Sequence, residues 1–124
     1  MSLFYDTLDT PLGTLTLEAS ERGLSSIRFA NRPQPMVGKT GWSSVLKLAK
    51  RELTAYFARQ LRAFSVPLDW HGTAFQESVW HALTDIPYGE TVSYADIARA
   101  IGRPRSARPT GGAVGRNPLP IIVP

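Results

Sequence analysis

The chain has 124 residues, of which 43% are hydrophobic, and a formal net charge of +4. This length allows one hydrophobic core or two small ones and excludes a large multidomain assembly. The residues include no cysteine, which excludes disulfides, thiolate metal sites and a cysteine nucleophile among them. Neither a secretion signal nor an apolar run of roughly 18 residues is present, so we expect a cytoplasmic protein with no membrane segment.

The positive charge is concentrated near the C-terminus. Residues 97–124 hold five arginines and no acidic residue, whereas residues 1–96 hold nine lysines and arginines against ten acidic residues. A basic patch on an otherwise balanced chain is typical of a surface that contacts phosphates. A solvated arginine-rich face has the same composition, so charge alone leaves both interpretations open.

Three short strands are predicted at the N-terminus. Leu3–Leu8, Gly13–Ala19 and Leu24–Phe29 have strand-like apolar patterns and are separated by turns that contain Pro or Gly. We expect them to form an antiparallel meander. After a loop over Asn31–Gly41, Ser43–Leu61 carries apolar residues at helical spacing, which predicts a helix that covers the sheet.

A domain boundary is predicted near Trp70. Residues 63–71 contain a proline and alternating apolar side chains, as in an extended connector. This gives an N-terminal α/β domain over residues 1–70 and a second domain over residues 73–124. Thr73 precedes Gln76 by three positions, which predicts a capping box at the start of the second domain's first helix.

The second domain has a helix-turn-helix pattern. Ser93 and Asp96 form another predicted capping box, Gly102 stands where that helix would end, and Ser106–Gly115 is rich in small residues. Two helices joined by a tight turn are typical of DNA-binding proteins, although a plain helical hairpin gives the same signal. The apolar tail Pro120–Pro124 is predicted to be a buried strand.

The two histidines give no indication of a metal site. His71 and His81 stand ten positions apart and belong to no recognised metal-binding motif, so we expect neither a metal nor another cofactor.

Four segments carry a specific family resemblance. Phe75–Trp80, Ile86–Tyr94, Ala107–Arg108 and Asn117–Pro124 resemble, in order and spacing, the O6-alkylguanine-DNA alkyltransferases, also called methylated-DNA-protein-cysteine methyltransferases. The resemblance implies a ribonuclease-H-like α/β domain, with a three-stranded antiparallel sheet and a helix. A mostly α-helical, winged-helix-like domain with a helix-turn-helix would follow it.

The resemblance also implies DNA repair. Such a protein binds duplex DNA in the minor groove, flips O6-alkylguanine out of the helix and transfers the alkyl group to its own cysteine in a single turnover. The family's Pro-Cys-His-Arg motif would begin at Pro124, so we expect the cysteine directly after this residue. We therefore expect the second domain to be incomplete at its C-terminus and the 124 residues to be inactive in transfer. A monomer is expected; cooperativity on DNA and the preferred alkyl size stay open.

The resemblance assigns roles to individual residues. Tyr94 would crowd the target phosphate, Arg108 would fill the vacated stack, and Asn117 would support the active-site loop. Pro109 stands where the family has a small residue, and proline fits a helix only in its first turn. The implied DNA contacts are Ser93, Tyr94, Arg105, Ala107, Arg108, Thr110, Gly111, Gly112 and Arg116, and the implied alkyl pocket is Val114, Asn117 and Pro120.

Two other functions are compatible with the sequence. An alkyltransferase-like protein with another residue in place of the cysteine would bind lesions without repairing them. A helix-turn-helix module outside repair would bind undamaged duplex equally well. The residue that follows Pro124 distinguishes transfer from lesion binding, and a competition between damaged and undamaged DNA tests the third possibility.

Overall fold

The computed structural model describes residues 3–29, 43–87 and 89–123. The strands and helices of these residues are, in chain order, β1 (Leu3–Thr10), β2 (Gly13–Ser20), β3 (Leu24–Phe29), α1 (Ser44–Phe57), α2 (Ala74–Thr84), α3 (Tyr94–Ala100) and α4 (Ala107–Gly115). They form two units, Met1–Trp70 and His71–Pro124. The loop predicted over residues 31–41 lies outside the described residues. None of these helices is long and apolar enough to cross a membrane.

The strands of the first unit form the predicted antiparallel meander, in the order β1, β2, β3. Thr10 pairs with Gly13 at the end of the first hairpin. Gly13 has a φ of +100°, a conformation that glycine adopts without steric cost. Side chains alternate across a strand. Those of Leu15, Leu17 and Ala19 in β2 face the core and have no solvent-accessible surface. This row forms the sheet's contribution to the core.

Helix α1 covers the sheet because one of its faces is apolar. The Ser43 hydroxyl accepts a hydrogen bond from the Leu46 N–H at 3.2 Å and caps the helix. Leu46, Ala49 and Leu53 are buried at spacings of three and four residues, which places them on one side of the helix. The helix packs against all three strands. A sheet-plus-helix unit followed by a helical unit confirms the predicted fold class.

The end of α1 differs from the prediction. The helix ends at Phe57, before the predicted Leu61. Arg59 has a φ of +60°, in the left-handed region, so the chain leaves the helical path there. The apolar periodicity continued past this point and did not reveal the turn.

A buried carboxylate fixes the connector that follows α1. Glu52 is 8% exposed, and its oxygens accept hydrogen bonds from the Ser65 N–H at 3.0 Å, the Ser65 hydroxyl at 2.8 Å and the Val66 N–H at 2.8 Å. Just beyond, Leu24 and Leu68 form a parallel β-bridge. The connector is therefore extended, as predicted, and is held between α1 and the start of β3.

The second unit begins with the predicted capping box. The Thr73 hydroxyl accepts from the Gln76 N–H at 3.1 Å, and the Gln76 side chain accepts from the Thr73 N–H at 3.0 Å. Further along α2, the buried Trp80 donates its indole N–H to the Ala113 carbonyl of α4 at 2.9 Å. This bond links the first helix of the unit to its last.

The C-terminal segment does not form the predicted strand. Residues 117–123 form turns, and the Val123 N–H donates to the Leu119 carbonyl at 2.9 Å. Two prolines in this segment lack the N–H that a β-ladder requires. Ile121 has a φ of +78°, which reverses the chain. The apolar run therefore packs as a folded loop, with Val123 buried.

Candidate DNA-binding site

Helix α3 begins with the second predicted capping box. The Ser93 hydroxyl accepts from the Asp96 N–H at 3.0 Å, and the Asp96 carboxylate accepts from the Ser93 N–H at 3.0 Å. Asp96 also pairs with Arg99, one turn later. The hydrogen bonds from Ser93, and to a smaller extent the charge of Arg99, hold the pKa of Asp96 below its ordinary value. Tyr94 follows the cap as the first helical residue, with 52% of its surface exposed.

The lowered pKa of Asp96 predicts a pH dependence of stability. Because the folded state favours the carboxylate, the stabilisation is complete above the unfolded pKa of about 3.9 and is lost as the pH falls through the lower folded value. We therefore expect Asp96→Asn to lower Tm at pH 7 and to approach the wild-type Tm as the pH falls below about 4. Thermal unfolding followed by circular dichroism measures this, with Asp85→Asn as an exposed control. A Tm difference that stays constant with pH would contradict the assignment.

Helix α3 ends in a Schellman motif. The Arg103 N–H donates to the Ala98 carbonyl at 2.8 Å, and the Gly102 N–H donates to the Arg99 carbonyl at 3.0 Å. Gly102 has a φ of +77°, so the predicted glycine stop is confirmed. The chain then turns into α4, which packs against α3. The pair has the order of elements predicted for a helix-turn-helix.

Helix α4 accommodates its proline. Arg108 and Pro109 are its second and third residues, in the first turn, where the N–H groups have no partner within the helix. The helix continues without interruption to Gly115. Arg108 is exposed, and no acidic residue lies in the first turn.

The arginines of this unit form an exposed basic surface. Arg99 pairs with Asp96, but within the described parts of the chain no carboxylate forms a salt bridge with the other four. The exposed arginines are Arg99, Arg103, Arg105, Arg108 and Arg116. Unpaired charge on a helix pair favours an anionic partner over a solvated, internally balanced surface.

The predicted DNA contacts on α4 differ in accessibility. The Gly112 side of the helix is open, because a Cβ atom there would meet only the Arg116 guanidinium, at 3.9 Å. Gly111 lies against the Tyr94 ring, and a Cβ atom there would stand 2.9 Å from two ring carbons. Thr110 has no exposed surface, so its side chain has no access to DNA and we do not retain it among the DNA contacts.

Thr110 instead offers a test of packing. Its hydroxyl is buried and has no hydrogen-bond partner among the described residues. Valine has the same shape without the polar group, so we expect Thr110→Val to raise the free energy of unfolding by about 1 kcal/mol. Urea denaturation measures this. Thr84→Val is the control, because the Thr84 hydroxyl donates to the His81 carbonyl at 2.6 Å and its loss should bring no gain. Destabilisation by Thr110→Val would show that the hydroxyl is bonded.

Asn117 holds the C-terminal loop closed. Its side-chain amide donates to the Val123 carbonyl at 2.6 Å, and its side-chain oxygen accepts from the Leu119 N–H at 2.9 Å. Its own N–H donates to the Val114 carbonyl at 3.1 Å, which joins the loop to the end of α4. Val114, Asn117 and Pro120, predicted to line the alkyl pocket, are all half-buried.

Ile121 holds backbone strain within this loop. A β-branched residue at positive φ is strongly disfavoured, and the family resemblance assigned no role to this position. Within a helix or strand, glycine normally lowers the free energy of unfolding by about 0.5–1 kcal/mol relative to alanine. Here we expect the reverse order, with Ile121→Gly about 1 kcal/mol more stable than Ile121→Ala, because only glycine relieves the strain. Chemical denaturation of both variants tests this; the usual order would show that the loop is not strained.

Comparison with known proteins identifies the family. Residues 3–70 match the model of the 6-O-methylguanine DNA methyltransferase ribonuclease-like domain, and residues 74–124 match the model of the DNA binding domain of the same proteins. The chain is similar to the methylated-DNA-protein-cysteine methyltransferase of Methanosarcina acetivorans, with 41% identity over 98% of this chain and 80% of the relative. The corresponding protein of Mycobacterium bovis is 44% identical, over 98% of this chain and 75% of the relative.

A solved structure agrees with these matches. The Mycobacterium tuberculosis OGT in complex with DNA superimposes with a TM-score of 0.88 at 44% identity, covering 98% of this chain and 74% of that one. The matches include almost every residue of the chain and confirm the resemblance found in its motifs. The chain therefore belongs to the 6-O-methylguanine DNA methyltransferase family, whose members are methylated-DNA-protein-cysteine methyltransferases.

Proposed function

We propose that the two units act as domains, over residues 1–70 and 73–124, and that the second recognises O6-alkylguanine in duplex DNA. It does so with α3 and α4 in the minor groove, flips the damaged base out and presents it to a cysteine that takes the alkyl group once. The observation that carries the proposal is the helix pair with five exposed arginines, four of which form no salt bridge with a carboxylate of the described residues. The family match, which includes a protein solved with DNA, supports the same function.

The surface of α4 suits the minor groove. This groove is only about 6 Å wide in B-form DNA, so a helix that approaches it must carry small side chains. Ala107 and Gly112 provide such a surface, whereas Gly111 lies against the Tyr94 ring. Arg105, Arg108 and Arg116 supply the positive charge that minor grooves attract, and Ser93 offers a hydroxyl beside Tyr94.

Base extrusion is assigned to two exposed side chains. Tyr94 is aromatic and half exposed, so it can press against the backbone of the target nucleotide. Arg108 lies in the first turn of α4, and its planar guanidinium offers several donors to the orphaned base. The alkyl group on O6 weakens the base pair, which lowers the cost of flipping and so favours the lesion.

The transfer step needs a thiolate from outside these residues, because none of the 124 is cysteine. The sulfur attacks the alkyl carbon, a C–S bond forms, and the C–O6 bond breaks with its electron pair passing to guanine, which takes up a proton. The thioether is not reversed, so each molecule acts once. We place the cysteine directly after Pro124, where the loop held by Asn117 would present it beside the pocket of Val114 and Pro120.

Flipping is tested with a duplex that carries a fluorescent base analogue next to O6-methylguanine. The fluorescence of the analogue increases when it loses its stacking on the neighbouring base. We expect the chain to brighten this duplex, and Arg108→Ala to weaken the effect by roughly tenfold, since a hydrogen bond to a charged group contributes about 1.5 kcal/mol. Arg22→Ala removes an exposed arginine of the first unit and serves as control. No brightening by the wild-type chain would contradict the proposal.

The groove is tested by competition. A small molecule that fills the minor groove should displace the protein, whereas a major-groove binder should not. Affinity should also fall as salt rises, with each arginine that contacts a phosphate adding about 0.9 to the slope of log K against log salt. Displacement by the major-groove ligand alone would place the helix pair in the other groove.

Lesion binding without transfer is the second candidate, in which another residue takes the place of the cysteine. Reading the codon that follows Pro124 in the gene separates the two. Cysteine supports transfer, and any other residue supports lesion binding alone.

A further inference from the structure

Gly111 is placed differently from the other glycines near it. In the middle of a helix, glycine is less favourable than alanine by about 1 kcal/mol, so its presence calls for a physical reason. At Gly115 a Cβ atom would meet nothing within 4 Å, and at Gly112 it would meet only the tip of a flexible side chain. At Gly111 it would stand 2.9 Å from the Cδ2 and Cε2 atoms of Tyr94, closer than such atoms approach. Gly111 is therefore the position where α4 requires the absence of a side chain.

The contact determines where the Tyr94 ring lies. Tyr94 is the first residue of α3, and the capping box of Ser93 and Asp96 fixes its backbone. The cap does not fix the side chain, and about half of the residue is exposed to solvent. The bare backbone of Gly111 is the surface against which one edge of the ring packs, and it limits that rotation.

We propose that Gly111 is a positioning residue for Tyr94: its lack of a side chain lets the ring lie against α4, in the orientation that presses on the target nucleotide. This inference rests on the proposed function, in which Tyr94 drives base extrusion. It assigns Gly111 an indirect role through the tyrosine, distinct from a direct approach of its backbone to DNA.

A methyl group at this position should displace the ring without unfolding the unit. Because about half of Tyr94 is exposed, we expect the ring to move towards solvent, which costs less than moving the backbone. Alanine also has the higher helix propensity. We therefore expect Gly111→Ala to keep or raise Tm while it impairs extrusion, a combination that a merely structural glycine would not produce.

The experiment is a double-mutant cycle on the chain Met1–Pro124. Wild type, Gly111→Ala, Tyr94→Ala and the double variant are compared for base flipping with the fluorescent duplex, and for Tm. Gly115→Ala is the matched control, because it makes the same change in the same helix where the added methyl group has open space.

We expect Gly111→Ala to lose most of the flipping signal, to about the level of Tyr94→Ala, and to cause no further loss in the Tyr94→Ala background. A Gly111→Ala signal equal to that of Gly115→Ala would overturn the inference while leaving the proposed function intact. So would an undiminished loss in the Tyr94→Ala background, which would indicate direct contact of α4 with DNA. A full signal from Tyr94→Ala would overturn both the inference and the role of Tyr94 in the proposed function.

Discussion

Replacing Glu52 with alanine is expected to lower the free energy of unfolding by about 3 kcal/mol or more. The carboxylate is 8% exposed and accepts from two successive backbone N–H groups, of Ser65 and Val66, and from the Ser65 hydroxyl. Alanine would remove the acceptors and leave these donors without partners beside a cavity. The connector would then detach from α1. Equilibrium urea denaturation of the variant measures the loss.

Two variants make this prediction sharper. Glu52→Gln retains an oxygen that can accept from both N–H groups, as Oε1 does, and should lose clearly less stability than alanine, because only the oxygen that accepts from the Ser65 hydroxyl is replaced. Glu21→Ala removes an exposed carboxylate of the same unit and should change little. If Glu52→Ala were as stable as Glu21→Ala, the buried carboxylate would not be holding the connector.

The second large effect is expected at Asn117. Asn117→Ala removes both hydrogen bonds that close the loop and leaves the N–H of the fully buried Leu119 without its acceptor. We expect a loss of about 2–3 kcal/mol in the free energy of unfolding, from one orphaned donor and one lost amide contact. Because the loop also holds the strained Ile121, its release should increase amide hydrogen exchange throughout residues 117–123.

Asn117→Asp separates the two bonds. The aspartate keeps an oxygen for the Leu119 N–H but cannot donate to the Val123 carbonyl, and it places a charge near that carbonyl. We expect hydrogen exchange at the Leu119 N–H to stay slow while the rest of the loop opens. Equal protection of the loop in wild type and Asn117→Ala would contradict the role of this side chain.

Local patterns predicted much of the fold, because the features concerned depend on neighbouring residues. The two capping boxes need only a hydroxyl and a polar side chain three positions apart, and Gly102 ends α3 because only glycine adopts φ of +77° freely. The meander follows from strands separated by short turns. The caps and the glycine stop satisfy their backbone groups within a few residues.

The C-terminal segment was predicted wrongly because its conformation depends on a side chain outside the apolar run. Pro120–Pro124 reads as a strand by composition, but Asn117 forms two hydrogen bonds that close residues 117–123 into a loop. The positive φ of Ile121 contradicts the preference of a β-branched residue, so no propensity could indicate it. Strain of this kind becomes visible only in the folded chain.

The candidate site was predictable in composition and less so in arrangement. The arginine cluster was evident from charge counts, and the family motifs pointed to Tyr94 and Asn117. The burial of Thr110 and the packing of Gly111 on Tyr94 both depend on how α3 meets α4. A pattern along one helix does not contain that information.

The central claim is that this chain recognises O6-alkylguanine, and competition binding tests it most directly. The chain Met1–Pro124 is titrated, at fixed salt, against two duplexes that differ only in a methyl group on O6 of one guanine. We expect the methylated duplex to be preferred by roughly fivefold or more, about 1 kcal/mol, because its weakened base pair costs less to open. Equal affinity for the two duplexes would contradict the claim and leave a helix-turn-helix that binds DNA without regard to damage.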